Sequence, residues 1–372
     1  MTDNIYQRLG VPTLLNAAGT FTDLGGSLMP PEVLDACRQA AGHFVDLAEL
    51  QTQVGRHIAQ LLGVEAALVT GGAASGILLG TAAAIALKDE SFVSRQVVNQ
   101  DGLPYEVIRQ ASQRDIYDRQ LETCGVKIVE VESAADFPDA ISERTALMMA
   151  YNLYEPESPI RHQEWLELAA KYAIPTLLDA AADTPPVENL WRFNRMGFDM
   201  VTFSGGKAIR GPQSSGLLLG RKDLIAAAAR NAVPVEGTIG RVAKVSKEDI
   251  VGLWKALELF VSPGPANGDL IATRCMEQLQ TIESILRDRT SVECRFVTPA
   301  EANHFPHLIV DWSNSGQSKT VEEVATQLRQ GDPPIATGRV YGTGSDGLLL
   351  SAINLQPGEE IVVGERLLAC LL

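Results

Sequence analysis

Short apolar runs alternate with longer segments of helical periodicity through the first two thirds of the chain. Runs rich in β-branched residues and leucine predict strands, and the segments between them predict helices. The predicted strands are 66–69, 92–98, 127–131, 145–150, 175–179 and 200–203, and the predicted helices are 50–62, 76–87, 105–124 and 163–172. This alternation indicates an α/β fold with a mostly parallel sheet covered by helices. Ligands in such sheets bind at the carboxyl ends of the strands.

The pattern changes on both sides of this region. An extended segment at 14–20 precedes a helix that begins at Pro30-Pro31-Glu32, because proline favours the first helical turn. After residue 224 the predicted helices are 226–230, 247–261, 269–288 and 321–329, and the predicted strands are 292–297, 307–311, 339–341 and 348–352. We therefore expect an N-terminal arm and helix over 1–50, a large domain over 51–262 and a smaller α+β domain over 263–372.

Composition favours an ordinary soluble globular protein. Hydrophobic residues make up 45% of the 372 residues and charged residues 21%, and the net charge is −15. Because binding to a nucleic-acid backbone requires a basic face, this charge argues against a nucleic-acid partner. The five scattered cysteines indicate reduced thiols, and the five histidines have no metal-binding spacing. With no signal-peptide pattern, and with the uncharged segment 67–87 rich in Ala, Thr and Gly, we expect a cytoplasmic protein outside the membrane.

The most specific chemical signal is a lysine, Lys207, on a glycine turn between two apolar runs. A single lysine held there has no obvious packing role, and its neighbours Ser204 and Arg210 are suited to binding a phosphate. This arrangement is expected of a lysine that forms a Schiff base with an aldehyde cofactor. Pyridoxal 5′-phosphate (PLP) is the leading candidate.

Two other strand ends carry supporting signals. The turn at 71–75 joins a strand to a helix, whose first N–H groups form an anion site; the alternative is a tight turn that binds nothing. Asp179 ends an apolar strand, where a charge needs a partner. That partner is either the ring nitrogen of the cofactor or, if Asp179 is an N-cap, the start of the next helix.

The chain order of these motifs resembles that of the fold-type I PLP-dependent enzymes, the aspartate aminotransferase superfamily. The resemblance implies that Lys207 forms the Schiff base and that Asp179 pairs with the pyridinium nitrogen. It also implies a set of phosphate-binding residues: Gly71, Gly72, Ala73, Ser75, Ser204 and Arg210.

Four longer motifs narrow the resemblance. They are Asn16-Ala17-Ala18-Gly19-Thr20 and the segments 24–27, 179–186 and 203–213. The sequences of these motifs resemble those of the group related to bacterial selenocysteine synthase. Within that group they most resemble the D-glucosaminate-6-phosphate ammonia-lyase branch. In contrast to the tRNA-acting synthase, the core here begins almost at Met1, Ala180-Ala181-Ala182 follows Asp179, and Arg210 follows the lysine turn. A tRNA substrate is therefore disfavoured.

Three further residues bear on the substrate. Arg339 matches the small-domain arginine expected to bind a substrate carboxylate, or else it is an exposed strand arginine. Lys244 is a candidate for binding an anionic substrate tail, or else a solvated charge before a helix. Ser112 lies where related enzymes often place a ring over the cofactor, so ring stacking must come from another residue.

These observations together predict a PLP-dependent lyase. Lys207 would remove the Cα proton of a small amino acid or amino sugar acid, a β-hydroxyl group would leave, and the products would be a 2-keto acid and ammonia. A racemase, an aldolase and an aminoacyl-tRNA transferase share the early chemistry and remain alternatives, as does a binding module that keeps the fold. We also expect a homo-oligomer of at least two subunits, since enzymes of this fold complete the site from a neighbouring subunit.

Overall fold

A computed structural model of the chain describes residues 4–94, 105–287, 289–338 and 347–372. The chain forms two compact units. The larger contains Met29–Gly268 and Ala300–Asn303, and the smaller contains Met1–Leu28, Asp269–Pro299 and His304–Leu372. The units divide the chain near residues 28 and 268, whereas the sequence predicted divisions at residues 50 and 262.

The helices and strands follow the predicted order over most of the chain. The helices are α1 Ile5–Arg8, α2 Pro31–Ala41, α3 Leu47–Leu62, α4 Ala73–Lys88, α5 Asp118–Glu122, α6 Phe137–Ala140, α7 His162–Tyr172, α8 Asn189–Met196, α9 Lys222–Arg230, α10 Lys247–Val261, α11 Ile271–Arg287, α12 Val321–Gln330 and α13 Glu359–Leu371. The strands are β1 Leu15–Ala17, β2 Ala66–Thr70, β3 Glu106–Gln110, β4 Lys127–Val131, β5 Thr145–Tyr151, β6 Thr176–Asp179, β7 Met200–Ser204, β8 Gly216–Gly220, β9 Glu293–Val297, β10 His307–Asp311, β11 Ile335–Thr337 and β12 Leu348–Ser351.

A seven-stranded sheet with the order β2-β8-β7-β6-β5-β3-β4 forms the centre of the larger unit. β8 runs antiparallel to β2 and β7, and the other neighbouring strands are parallel. The predicted α/β fold with a mostly parallel sheet is confirmed.

Helix α4 is buried on nearly every side. Its residues from Gly76 to Ala86 are all buried, and Gly76 and Gly80 pack closely against Thr202 and Leu177 of the sheet. The uncharged segment 67–87 is therefore strand β2 followed by an interior helix, which explains its small apolar residues. Across the described ranges, none of the helices combines the length and the apolar character that crossing a bilayer requires.

In the smaller unit, a three-stranded antiparallel sheet, β12-β10-β9, accompanies helices α11 to α13, and β1 pairs in parallel with β11. The N-terminal motif is held by two asparagines. Asn16 Oδ1 accepts hydrogen bonds from the N–H groups of Ala18 and Gly19, and Asn354 Nδ2 donates to the carbonyls of Gly19 and Gly26. The predicted strand 339–341 lies outside the described residues, and the sequence analysis missed β11.

The helix predicted over 105–124 is wrong. The segment contains strand β3, a 3-10 turn at Ala111–Gln113 and the short helix α5. The spacing of Glu106, Arg109 and Gln110 imitates the polar face of a helix, but all three side chains are buried and contact polar partners elsewhere in the chain. The partners are Ser142 and Arg144 for Glu106, Asp118 and Glu130 for Arg109, and the backbone of Ile160 for Gln110.

The strand predicted over 92–98 is also wrong in its described part. Glu90–Val93 is a 3-10 helix whose N-cap, Asp89, accepts a hydrogen bond from the N–H of Ser91. A carboxylate that binds the backbone two residues later favours a turn over a strand. The remainder of that prediction, from residue 95, lies outside the described residues.

Candidate active site

The carboxyl ends of β2, β6 and β7 meet at one edge of the large sheet. β8 begins at this edge, where Gly216 pairs with Thr70 on one side and with Ser204 on the other. In the next strand, Asp179 pairs with Thr202 of β7. This register brings the glycine turn, Ser204 and Asp179 to the same edge, as expected for a ligand site in an α/β sheet.

The glycine turn leaves the start of α4 available to an anion. Gly72 is the N-cap with φ of 95°, a left-handed conformation that favours glycine, and no side chain caps the helix. Helix α4 begins at Ala73, earlier than the predicted residue 76, so the Ala73 and Ser75 N–H groups belong to its first turn. The Ser75 hydroxyl is buried and has no hydrogen-bond partner in the part of the chain that the structure describes. A buried hydroxyl beside uncapped amides fits a phosphate group.

Backbone packing closes the turn from two sides. A Cβ atom added to Gly216 would lie 2.4 Å from the carbonyl carbon of Gly72, and one added to Gly71 would lie 3.0 Å from the carbonyl oxygen of Ala243. Backbone atoms cannot move aside as flexible side chains can. The shape of the anion site therefore depends on glycine at both positions.

Gly216→Ala is expected to destabilise the protein by about 1–3 kcal/mol and to weaken PLP binding, because the new methyl group displaces the turn at Gly72. Urea unfolding and fluorescence titration with PLP measure the two effects. Gly42→Ala is the matched control, since Gly42 has φ of −78° and its nearest atom, the Gln39 carbonyl oxygen, lies at 3.5 Å. Equal stability and affinity of the two variants would contradict the prediction.

Lys207 lies on a loop that folds back on itself after β7. The Gly205 N–H donates to the Ser215 carbonyl at 2.9 Å, and the Gly211 N–H donates to the Gly205 carbonyl at 2.8 Å. Arg210 adopts a left-handed conformation with φ of 61°, and its N–H donates to the Lys207 carbonyl. These contacts fix the backbone on both sides of Lys207, whose side chain is only partly exposed.

Lys207 and Asp179 interact electrostatically. Burial lowers the pKa of Lys207, while the carboxylates of Asp179 and Asp183 act to raise it. Burial also raises the pKa of Asp179 to about 6, opposed by a hydrogen bond of 2.8 Å from the Ala181 N–H to Oδ1 and by the charge of Lys207. Burial therefore disfavours the charged form of each group, while each charge favours the charged form of the other.

The structure adds a cluster that the sequence analysis missed. Asn152 follows β5 and donates through Nδ2 to Asp183 Oδ1 at 2.7 Å and to Glu301 Oε2 at 2.9 Å. Asp183 lies four residues after Asp179 and is 2% exposed. Two aspartates so close after one strand end are a signal visible in the sequence, but the distant Glu301 is not.

The remaining predicted residues differ in position. Lys244 is exposed and follows Ala243, whose carbonyl contacts the glycine turn. Ser112 is exposed on the 3-10 turn after β3, and its neighbour Gln113 is fully buried. Arg339 lies outside the described residues.

The chain has known relatives in both sequence and fold. The family model described as "L-seryl-tRNA selenium transferase" (SelA) matches residues 14–293. The chain belongs to the SelA family. This SelA-family chain is also 33% identical over 271 residues to D-glucosaminate-6-phosphate ammonia lyase of Salmonella typhimurium (strain 14028s / SGSC 2262). The aligned region covers 70% of this chain and 71% of that relative.

Two solved structures support the fold. A structure of D-glucosaminate-6-phosphate ammonia-lyase matches with a TM-score of 0.83 and 28% identity, covering 100% of the SelA-family chain and 99% of the other. A structure described as SPT with a PLP internal aldimine matches with a TM-score of 0.58 and 13% identity over 95% of this chain and 86% of that one, a likeness of fold alone. The predicted resemblance to fold-type I PLP-dependent enzymes is confirmed, and both an ammonia-lyase and a selenium transferase are relatives.

Proposed function

We propose that this SelA-family protein is a PLP-dependent ammonia-lyase that acts on a small amino acid or an amino sugar acid. One observation carries the proposal. Asp179 ends β6 and the Lys207 loop follows β7, so both lie at the sheet edge where the uncapped start of α4 also lies, and the charge of each acts on the pKa of the other. The similarity to an ammonia-lyase over most of both chains favours this reaction over others that PLP supports.

The residues present fit PLP. The amides at the start of α4, with the unpartnered Ser75 hydroxyl, Ser204 and Arg210, would hold the phosphate group. The Asp179 carboxylate would pair with the protonated ring nitrogen. When bound, PLP supplies a ring that withdraws electrons from the Cα of an amino acid.

The protein's own residues would move the protons. Because burial lowers the pKa of Lys207, its amine is more readily neutral near neutral pH and can accept the Cα proton. The Asp179 carboxylate would stay in place and hold the positive charge opposite it. Arg339 would bind the substrate carboxylate, which stays a prediction.

Lys244 bears on the class of substrate. Its exposed side chain lies on the segment whose Ala243 carbonyl packs against the glycine turn, so a cation is available near the anion site. This position favours a substrate with an additional anionic group. The proposed small-molecule partners therefore carry such a group. A second copy of this chain is also a proposed partner, since enzymes of this fold complete the site from a neighbouring subunit.

Reduction with borohydride tests the proposal. We expect purified protein incubated with PLP to keep a visible absorbance after gel filtration, and borohydride to fix the cofactor covalently on the peptide that contains Lys207, as mass spectrometry will detect. Lys222→Ala removes an exposed lysine and should label as well as wild type. Release of keto acid and ammonia is then screened with D- and L-amino acids and phosphorylated amino sugar acids. Protein that binds no PLP would support the binding-module alternative.

The family description favours a second candidate, transfer to an aminoacyl-tRNA. The net charge of −15 opposes it, since tRNA binding depends on cationic contacts with phosphates. Binding to seryl-tRNA that weakens steeply with added salt would support this candidate, and no binding at low salt would remove it.

A further inference from the structure

We infer that Asp183 is a catalytic acid that gives a proton to the departing β-hydroxyl group of the substrate. The inference rests on the proposed lyase function. Hydroxide is a poor leaving group, so its departure needs a proton from a positioned acid. Asp179 pairs with the ring nitrogen and Lys207 takes up the Cα proton in that reaction. Lys207 could return this proton to the leaving group only after it has left Cα, whereas a second acid lets the two proton transfers take place on separate groups.

Asp183 lies at the same sheet edge as the other site residues. It follows Asp179 of β6, and its partner Asn152 directly follows Tyr151 of β5, the residue that pairs with Asp179 in the sheet. The charge of Asp183 acts on Lys207. The proposed acid, Asp183, and the base, Lys207, are therefore separate groups that are close enough to interact electrostatically.

The two oxygens of the Asp183 carboxyl have different environments. Oδ1 accepts a hydrogen bond of 2.7 Å from Asn152 Nδ2 and another of 2.8 Å from the Ala302 N–H. Oδ2 takes part in no hydrogen bond with any residue in the described ranges. One oxygen thus anchors the group while the other can carry a proton toward a substrate.

A neighbouring carboxylate favours the protonated form of Asp183. Glu301 Oε2 accepts from the same Asn152 amide nitrogen, and two like charges that share a donor resist simultaneous ionisation. Burial is the main reason that the pKa of Asp183 rises to about 6; Glu301 and Asp179 add to it, and the Asn152 and Ala302 hydrogen bonds oppose it. Asp183 is buried whereas Glu301 is partly exposed, so burial disfavours the charged form of Asp183 in particular.

The proton transfer balances without an oxidant or a reductant. The Cα–H bond breaks as Lys207 takes the proton, and its electron pair becomes the Cα–Cβ double bond. The Cβ–O bond breaks with both electrons on oxygen, the proton of Asp183 Oδ2 joins that oxygen, and water leaves. The released unsaturated amine takes up a proton from water at Cβ, and its hydrolysis gives the 2-keto acid and ammonia. Lys207 releases the Cα proton to water and Asp183 takes one up, so both groups return to their starting states.

The leaving group separates a catalytic acid from a structural residue. Asp183→Asn keeps an oxygen that can accept from both Asn152 and Ala302 but removes the acidic proton. Chloride leaves without a proton, so we expect this variant to eliminate β-chloroalanine at a rate close to that of wild type. Its elimination of serine should fall by about 10²–10⁴-fold, while exchange of the Cα proton in D₂O persists. Both the D and the L form of each probe are given to the PLP-loaded protein, and the keto acid that it releases is measured.

Several outcomes would overturn the inference. Equal losses for serine and β-chloroalanine would make Asp183 a structural residue, and no loss for either would show that another group supplies the proton. Wild-type protein that eliminates neither probe, and releases no keto acid from any amino sugar acid of the substrate screen, contradicts the proposed function itself, and that result is seen before any variant is made. If only an amino sugar acid reacts, its elimination by Asp183→Asn takes the place of the serine assay.

An independent measurement needs no turnover. A carboxyl whose folded pKa is about 6, above its unfolded value of about 3.9, adds stability at low pH that is lost as pH rises through 6. The melting temperature of the full wild-type chain, measured relative to Asp183→Asn, should therefore increase as pH falls from 7 to 4. Glu301→Gln should shift this change to lower pH, because it removes the adjacent charge. If the difference in melting temperature between wild type and Asp183→Asn does not vary with pH, Asp183 does not have a raised pKa and the inference is wrong.

Discussion

Lys207→Ala protein is expected to release keto acid on the order of 10⁴-fold more slowly than wild type or not at all, because the variant lacks the base that removes the Cα proton. Burial lowers the pKa of Lys207, so the lost group is an amine already suited to accept a proton near neutral pH. Steady-state release of keto acid, and wash-in of deuterium at Cα, measure the loss. Both should fall together if Lys207 is the base.

Small amines provide the control for this variant. Added methylamine should restore part of the activity of Lys207→Ala, since it can occupy the space of the missing side chain and accept the proton. It should do nothing for Lys222→Ala, which is expected to be fully active because that lysine is exposed outside the site. An active Lys207→Ala enzyme in the absence of added amine would contradict the assigned role.

Asp179→Asn is expected to lower turnover by about 10²–10³-fold, since a neutral amide cannot hold a positive charge on the ring nitrogen. The asparagine keeps an oxygen for the Ala181 N–H, which now donates to Asp179 Oδ1 at 2.8 Å, so the backbone after β6 should be unchanged. Steady-state kinetics, with the absorbance spectrum of the PLP-bound protein, separates lost rate from lost binding.

Asp223→Asn makes the same chemical change at an exposed position on α9, where the carboxylate pairs with Arg221. It should leave turnover within experimental error of wild type. If Asp179→Asn behaves in the same way, Asp179 is an ordinary strand-end carboxylate and the ring nitrogen has another partner.

The fold was predictable where local pattern and tertiary structure agree. The apolar runs at β5 and β7 are buried on both faces, so continuous hydrophobicity identified them. The pattern failed at β3, because Glu106, Arg109 and Gln110 are buried with partners from distant parts of the chain. A single sequence does not reveal such partners, and three polar residues at helical spacing indicate a helix.

The candidate site divides in the same way. Lys207, Asp179 and the turn at Gly72 belong to short continuous motifs whose chemistry can be inferred from neighbouring residues. Asp183 acquires its properties from Asn152 and from Glu301, which is far away in sequence. Its importance could be recognised only once the fold had brought these groups together.

The enclosure of α4 has a consequence for how an anion is captured. Helix α4 packs against its neighbours on nearly every side, with Gly76 and Gly80 against the sheet, so it cannot tilt or slide without opening a void. The N–H groups at the start of α4 are therefore oriented by the packing of the helix, and they keep this orientation with or without a bound anion. A phosphate group would bind to a preformed site, and its association rate would not be limited by a rearrangement of this helix.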